Sequence, residues 1–209
     1  MIEIKNLNKI YLKGKKNMVH ALNNINLKID DRETVAIIGE SGAGKSTLLH
    51  IMSCIDNFDG EYYLDNIDIN KLSESKKSKL RSSKIGIVLQ DFALIDDFTV
   101  FENVMTPLYF NKKIKDKKGS VMRALKKTGI ASLKAKKVSQ LSGGQKQRVA
   151  ISRALVTNPE YIFADEPTGS LDSKTSEEIV KMLFDLNRNG ITIIIVTHNL
   201  DIANKCQRV

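Results

Sequence analysis

The chain has 209 residues, 42% of them hydrophobic and 27% charged, a balance that excludes a disordered or fibrous protein and fits one globular domain. Its two cysteines exclude a disulfide framework, and its apolar runs are too short to cross a bilayer, so we expect a cytoplasmic protein without a membrane-spanning segment of its own. The net charge of +9 leaves nucleic acid or anionic lipid open as a partner, although a solvated, lysine-rich helical surface is the simpler interpretation.

The N-terminal part of the chain has the alternation of apolar and polar residues that is typical of strands. Between Ile2 and Ile29 this pattern is interrupted by a lysine- and glycine-containing turn at Lys13–Asn17. A turn signal at Asp59–Glu61 precedes another alternating segment, Tyr62–Ile69. These segments together predict a small antiparallel sheet.

Short apolar runs predict strands that are buried on both faces, as in a parallel sheet. They are Thr34–Ile38, Ile85–Leu89, Tyr161–Ala164 and Thr192–Thr197. Helices are predicted at Ser46–Ile55 and Lys174–Leu186, and residues 91–157 read as helical and rich in lysine.

The order of these elements predicts an α/β fold with a mostly parallel sheet and an N-terminal antiparallel β subdomain. We expect a single domain over residues 1–209. Its α/β core should consist of residues 1–90 and 156–209, and a helical subdomain, residues 91–155, should be inserted between them.

A glycine-rich segment lies between the predicted strand Thr34–Ile38 and the predicted helix Ser46–Ile55. It fits the pattern G-x-x-x-x-G-K-[ST], in which backbone N–H groups and a helix N-terminus surround phosphate oxygens. Lys45 supplies a full positive charge to the β- and γ-phosphates, and the Ser46 hydroxyl is a ligand for Mg²⁺. The predicted ATP contacts are Gly39, Glu40, Ser41, Gly42, Ala43, Gly44, Lys45, Ser46 and Thr47.

Two adjacent acids follow the predicted strand Tyr161–Ala164. A carboxylate at the C-terminal end of a buried strand, beside a phosphate loop, suits a Mg²⁺ ligand, and we assign Asp165 to that role. Glu166, one residue further on, is predicted to be the general base that accepts a proton from the attacking water.

A second glycine-containing segment, Leu141–Gln145, precedes a predicted helix that ends before Pro159. Ser142 is expected to cap this helix, and Gly143, Gly144 and Gln145 should contribute to a second anion site at its N-terminus. One chain with a complete phosphate loop has no need of another phosphate clamp, whereas a head-to-tail pair of chains does.

These residues resemble the nucleotide-binding domain of ABC transporters, whose core is that of the P-loop NTPases, and the resemblance covers nearly the whole chain. Leu141–Gln145 matches the LSGGQ signature, which in the family binds the γ-phosphate of ATP held by the opposite subunit. Gln90 matches the Q-loop glutamine, which senses Mg²⁺ and water, and His198 matches the switch histidine at the γ-phosphate. Residues 170–172 match the D-loop, and Tyr11 lies where the family has an aromatic residue that stacks on adenine.

The resemblance implies an ATPase with catalytic Lys45, Gln90, Glu166 and His198, and with Mg²⁺ held by Ser46, Gln90 and Asp165. It also implies a homodimer, or a pair with a similar ATPase, that drives a separate membrane permease from the inner face of the membrane. Segments such as 90–94 and 168–175 are similar to the lipoprotein-release, macrolide-export and antimicrobial-peptide-export ATPases, which favours export or extraction of a peptide, drug or lipid-linked substrate.

Two alternatives to a transport ATPase fit the sequence less well. A soluble ABC ATPase that acts on nucleic acid or ribosomes would suit the net charge, but ribosome-acting members carry two such domains in one chain. A P-loop kinase has no role for Leu141–Gln145. Family members usually continue past the switch histidine with a further short strand, so we expect the sheet edge near Val209 to be less well supported.

Overall fold

The computed structural model describes residues 1–12, 14 and 17–209. Within these residues the strands are β1 (Ile2–Tyr11), β2 (Val19–Ile29), β3 (Thr34–Ile37), β4 (Asp59–Leu64), β5 (Ile67–Asp68), β6 (Ile85–Val88), β7 (Tyr161–Asp165) and β8 (Thr192–Val196). The helices are α1 (Lys45–Met52), α2 (Glu74–Lys84), α3 (Val100–Phe110), α4 (Lys117–Lys127), α5 (Gly143–Leu155), α6 (Ser173–Arg188) and α7 (Leu200–Ala203).

The strands form two four-stranded sheets. The first is antiparallel with the order β2-β1-β4-β5, and the second is parallel with the order β3-β8-β7-β6. The helices that connect the parallel strands make the crossovers that such a sheet needs. The predicted α/β fold, with an antiparallel N-terminal sheet and a parallel core sheet, is confirmed.

The parallel sheet is covered on both faces because successive residues of a strand point to opposite sides. In β7, the side chains of Tyr161 and Phe163 join an apolar cluster with α1 and the antiparallel sheet. Ile162 and Ala164 belong to a second cluster that includes residues of α3 to α6. This is why the strand reads as continuously apolar rather than alternating.

Helices α3, α4 and α5 lie together in the second apolar cluster through side chains such as Val104, Leu125 and Val149. The N-terminus of α3 is fixed by a capping box in which Thr99 and Glu102 exchange hydrogen bonds. Asp116 caps α4 by accepting a hydrogen bond from the Gly119 N–H. Sequence-local caps therefore decide where these helices begin.

Three details differ from the sequence-based expectations. The predicted strand Tyr62–Ile69 is a hairpin, because Asp65 and Asn66 both adopt positive φ angles and form a tight turn between β4 and β5. The predicted turn at Asp59–Glu61 lies inside β4. Helix α2 was not predicted, since its sequence is almost entirely polar. In the predicted turn at Lys13–Asn17, residues 13, 15 and 16 lie outside the described residues.

The last residues of the chain run beside β3 at the edge of the parallel sheet. The Gln207 N–H donates to the Thr34 carbonyl at 3.0 Å, and the Ala36 N–H donates to the Arg208 carbonyl at 2.9 Å. This short parallel bridge supports the edge that we expected to be poorly supported. In the described part of the chain, every helix is too short or too polar to cross a membrane.

Candidate functional site

The candidate site is built at the carboxyl edge of the parallel sheet, where all four strands end together. Ile37, Val196 and Asp165 are aligned across β3, β8 and β7, and Val88 of β6 pairs with Ala164 in the preceding row. The segments that follow these strands carry the phosphate loop, His198, Glu166 and Gln90. This edge is where open α/β sheets bind their ligands.

The phosphate loop, residues 39–46, passes into α1 without a side-chain cap. Gly44 is the N-cap with a φ of 87°, and a Cβ placed on it would lie closer than 3.0 Å to the Ala21 carbonyl oxygen. Only glycine therefore fits this position. None of the described side chains caps α1, and its first turn has no acidic residue, so nothing in the described structure competes with an anion for the N–H groups of that turn.

Lys45 lies at the start of α1 and folds back over the loop. Its ammonium group donates to the carbonyl oxygens of Gly39 at 2.9 Å and Glu40 at 2.8 Å. These bonds use two of the three donors of the ammonium group and hold its charge at the mouth of the loop.

Three polar side chains at this edge have no hydrogen-bond or ion-pair partner among the described residues. Ser46 and Gln90 are exposed, and Asp165 is partly buried at the end of β7. Hydroxyl, amide and carboxylate oxygens form a donor set that suits Mg²⁺. The described residues contain no group of three His, Cys, Asp or Glu side chains that could bind a metal by themselves.

Glu166 has a strained backbone and a well-defined carboxylate. Its φ is +43°, a conformation that costs a residue with a side chain about 1–2 kcal/mol. Its Oε1 lies 2.9 Å from Nδ1 of His198, and its Oε2 accepts a hydrogen bond from the Thr197 hydroxyl at 3.3 Å. The Glu166 side chain is 13% exposed and that of His198 is 72% exposed, so the carboxylate is shielded while the imidazole faces solvent.

The signature segment, residues 141–145, lies at the N-terminus of α5, where Ser142 and Gln145 form a reciprocal capping box. Ser142 accepts a hydrogen bond from the Gln145 N–H at 3.4 Å, and the Gln145 side chain accepts one from the Ser142 N–H at 3.2 Å. A Cβ on Gly144 would lie closer than 3.0 Å to Cγ2 of Thr175, so α5 packs tightly against the start of α6. In the described structure, no hydrogen bond joins residues 142–145 to residues 39–47.

Helix α5 also contacts the two segments that follow Gln90 and Glu166. The Gln147 amide donates to the Pro167 carbonyl at 2.7 Å. Arg153 donates to the Phe92 carbonyl at 2.7 Å and also to the Ala93 carbonyl, and burial lowers the pKa of its guanidinium group. Neither residue was singled out from the sequence. Their signal is a polar side chain on a helix face that is otherwise apolar.

Tyr11, predicted to stack on adenine, contacts α1 through its hydroxyl group. Its hydroxyl contacts the Thr47 hydroxyl at 3.5 Å and donates to the Asp56 carboxylate at 3.0 Å. The Lys9 ammonium lies 4.9 Å from the centre of the Tyr11 ring. The aromatic ring is thus fixed near the helix that follows the phosphate loop.

The segment 170–172 ends at Asp172, which caps α6. Its carboxylate accepts hydrogen bonds from the Thr175 hydroxyl at 2.6 Å and the Thr175 N–H at 3.0 Å. These bonds lower the pKa of Asp172 below its usual value. The D-loop segment is therefore held by a charged cap, next to the uncharged cap of α5.

Known proteins of one family are similar to this chain over its whole length. The sequence profile of the ABC transporter family matches residues 22–169. YvrO of Bacillus subtilis (strain 168), named an uncharacterized ABC transporter ATP-binding protein, is 45% identical over 210 residues, which cover 100% of this chain and 91% of YvrO. The macrolide export ATP-binding/permease protein MacB of Mannheimia succiniciproducens is 43% identical over 211 residues. The match covers 100% of this chain and 33% of MacB.

The fold is shared with a solved cassette. The structure of MJ0796, a protein of Methanocaldococcus jannaschii, in a dimeric post-hydrolysis state with bound ADP and Pi has a TM-score of 0.90 and 42% identity, over 99% of this chain and 92% of that one. These matches confirm the resemblance read from the motifs and give no support to the alternative that acts on nucleic acid. The chain belongs to the ABC transporter family, as one of its ATP-binding and ATP-hydrolysing cassettes.

Proposed function

We propose that this cassette closes head to tail with a second copy of itself, or with a similar ATPase, around two ATP molecules, and that closure drives a membrane permease. The observation that carries the proposal is the separation of two anion sites within one chain. The phosphate loop and the signature segment share no hydrogen bond in the described structure. Within the signature segment, the N–H groups of Ser142 and Gln145 donate to each other's side chains. A second copy would bring its signature segment to the ATP held by the first.

ATP would be held mainly by one chain. The phosphates would lie in the loop 39–47, with Lys45 placing its charge on the β- and γ-phosphates, and adenine would stack on Tyr11. Residues 142–145 of the second copy would bind the γ-phosphate. The Ser142 hydroxyl can donate its own proton to a phosphate oxygen, and the Gln145 N–H can exchange its long hydrogen bond to Ser142 for one to the phosphate. The anion sites at the two helix N-termini then act on the same phosphate.

Mg²⁺ fits the unpartnered oxygen atoms at the sheet edge. Ser46, Gln90 and Asp165 would hold it, and when bound it would neutralise charge that develops on the phosphates. Because these three oxygens are too few for an octahedral site, we expect the metal to bind together with ATP rather than alone.

Glu166 is the proposed general base. Its carboxylate would accept a proton from a water molecule as the water oxygen attacks the γ-phosphorus and the bond to ADP breaks, and products would be ADP and phosphate. His198 lies on the solvent side of Glu166 and would contact the γ-phosphate, while Gln90 would orient the water and the metal. The Thr197 and His198 contacts hold the carboxylate in place for this step.

The finer assignment follows the subgroup that the motifs resemble. We propose a role in export or extraction of a peptide, drug or lipid-linked substrate, with the cassette on the cytoplasmic face of the membrane, attached through its permease. Residues 1–90 and 156–209 would act as the nucleotide-binding core, and residues 91–155 as a helical unit that presents the signature segment. The macrolide-export name of MacB and the dimeric state of MJ0796 support this proposal.

The test separates the roles of the two adjacent acids. Glu166→Gln keeps the size of the side chain but removes the base, so hydrolysis should fall by about 10²–10⁴-fold while ATP binding is kept. With Mg-ATP it should elute from gel filtration as a dimer that retains ATP. Asp165→Asn should weaken Mg-ATP binding itself and stay monomeric.

Hydrolysis at the wild-type rate by Glu166→Gln would place the base elsewhere. Equal trapping of ATP by both variants would contradict the division of labour. A monomeric Glu166→Gln that still binds ATP would contradict head-to-tail closure.

A further inference from the structure

The strongest unexplained feature of the molecule is the side chain of Gln147 on α5. Gln147 is 1% exposed, and its Nε2 donates to the Pro167 carbonyl at 2.7 Å. A carbonyl only accepts, so the NH₂ end of the amide has to face Pro167, and the orientation of the amide is settled. Its Oε1 is the one buried side-chain polar atom without a partner in the described part of the chain.

A buried polar amide with an unsatisfied oxygen is costly, by about 1–3 kcal/mol. A residue chosen for packing alone would be apolar at this position, because its helix neighbours Val149, Ala150 and Ile151 are all fully buried. The cost of Gln147 therefore points to a role for the bond to Pro167 that packing does not explain.

That bond acts on the turn that carries Glu166. Pro167 follows Glu166 directly, and the turn closes through a hydrogen bond from the Gly169 N–H to the Glu166 carbonyl at 3.1 Å. Strained residues persist only where their surroundings hold them. The hydrogen bond from Gln147 fixes the carbonyl group of Pro167, and so restrains the backbone next to Glu166, whose φ is positive.

The hydrogen bond between Gln147 and Pro167 also relates the Glu166 turn to the signature segment, because α5 begins within that segment. Gln147 lies about one turn from Gly143, and a helix moves as a rigid unit over that distance. In the proposed dimer the signature segment of a chain faces the ATP of the other copy, whereas Glu166 acts on the ATP of its own chain. The Gln147 bond thus connects one ATP site to the other.

We propose that Gln147 is a positioning residue that sets the Glu166 carboxylate of its own chain through the Pro167 carbonyl. The inference rests on the proposed function, because Glu166 has to be the general base. Loss of the donor should lower the rate of hydrolysis without changing ATP affinity, since the phosphate loop is untouched.

The test uses mixed pairs in which only one site can react. A trace of chain with intact Glu166 is mixed with an excess of Glu166→Gln chain before Mg-ATP is added, and phosphate release is measured in a single turnover. Each intact chain then pairs with an inactive chain that supplies only its signature segment. Gln147→Met is introduced either into the intact chain or into the excess chain, and Gln147→Leu serves as a second variant without the donor.

A matched control is Arg148→Met. Arg148 is on the same helix and also donates to a backbone carbonyl, that of Thr128, at 2.9 Å, and to the Glu178 carboxylate at 2.7 Å. Thr128 is the C-cap of α4 and does not adjoin a residue assigned to the reaction. Thermal unfolding of each variant shows whether it is folded. The control should leave the rate unchanged in either chain.

We expect Gln147→Met in the intact chain to lower the rate by about 10- to 100-fold, with an unchanged ATP concentration at half saturation. The same change in the excess chain should leave the rate unchanged. A loss only in the excess chain would mean that Gln147 supports the signature segment, and an equal loss in both chains, or no loss, would equally overturn the proposal. If the trace chain hydrolyses ATP without any partner, head-to-tail closure is wrong, and Gln147→Met in that lone chain still tests the positioning role.

Discussion

The N-termini of α1 and α5 both offer backbone N–H groups to a phosphate, but they are constructed in opposite ways. At α1 the N-cap is Gly44, which makes no side-chain hydrogen bond, and its geometry is enforced by the nearby Ala21 carbonyl. At α5 the N-cap is Ser142, which forms a reciprocal pair of hydrogen bonds with Gln145. One anion site is open in the single chain, and the other is closed by its own side chains.

The difference indicates an order of events. An open site needs no rearrangement, so α1 and its loop can bind ATP in the lone chain. The cap on α5 has bonds of 3.2 and 3.4 Å, at or beyond the long end of the usual range. A weak cap keeps the segment ordered and is exchanged for a phosphate at low cost. Binding by α1 should therefore precede binding by α5.

The largest expected effect comes from Lys45, which belongs to the open site. Lys45→Ala removes a charge-assisted contact to phosphate, so the isolated chain should bind ATP about 10–100-fold more weakly and hydrolysis should fall by about 10²–10³-fold. Isothermal titration of the single chain with ATP measures the first effect. Lys181→Ala, an exposed lysine on α6, is the control and should bind normally. Unchanged affinity of Lys45→Ala would mean that α1 is not the primary anion site.

A smaller effect should distinguish the two glycines that shape these sites. Gly44→Ala places a Cβ against backbone at a φ of 87°, so the loop has to move, and we expect a loss of more than about 1–2 kcal/mol. The Cβ of Gly144→Ala instead comes too close only to Cγ2 of Thr175, a side-chain methyl group, while its other contacts are at ordinary distances. Thr175→Ser removes that methyl group and keeps the hydroxyl on Asp172, so it should rescue Gly144→Ala.

Urea unfolding of the single and double variants measures these effects. Thr175→Ser should not rescue Gly44→Ala, because Gly44 does not contact Thr175. The variant that combines Gly44→Ala with Thr175→Ser is therefore the control. Equal losses for both glycine variants, with no rescue, would show that the two helix ends are constrained in the same way.

Most of the framework of the molecule was predictable from sequence because it depends on local patterns. Each strand of the parallel sheet is a short apolar run, and the observed ends lie within one residue of the predicted ones. The cap of α5 was also predictable, since Ser142 precedes a helix and Gln145 follows Ser142 by three residues. Helix α2 was missed because a polar helix has no apolar stripe to read.

Contacts across the fold were not predictable in this way. The bonds from Gln147 to Pro167 and from Arg153 to Phe92 join residues that are distant in sequence. Their partners are backbone carbonyls, which every residue has, so the sequence contains no complementary signal. The strained φ of Glu166 is similarly a product of the surrounding structure, because no local pattern requires it.

The smallest expected effect concerns the neighbouring caps of α5 and α6, which differ in charge. Ser142→Ala should lower the free energy of unfolding by about 1 kcal/mol, the usual value of such a cap, at every pH, since a hydroxyl does not titrate in this range. Asp172→Ala should be destabilising only while the carboxylate is ionised. Because the folded chain holds the pKa of Asp172 below its usual value of 3.8, the cap stabilises fully above that pH and is lost as the pH falls below it through the folded pKa. Urea unfolding of both variants between neutral pH and pH 3 measures this, and a constant deficit for Asp172→Ala across that range would show that its hydrogen bonds do not depend on ionisation.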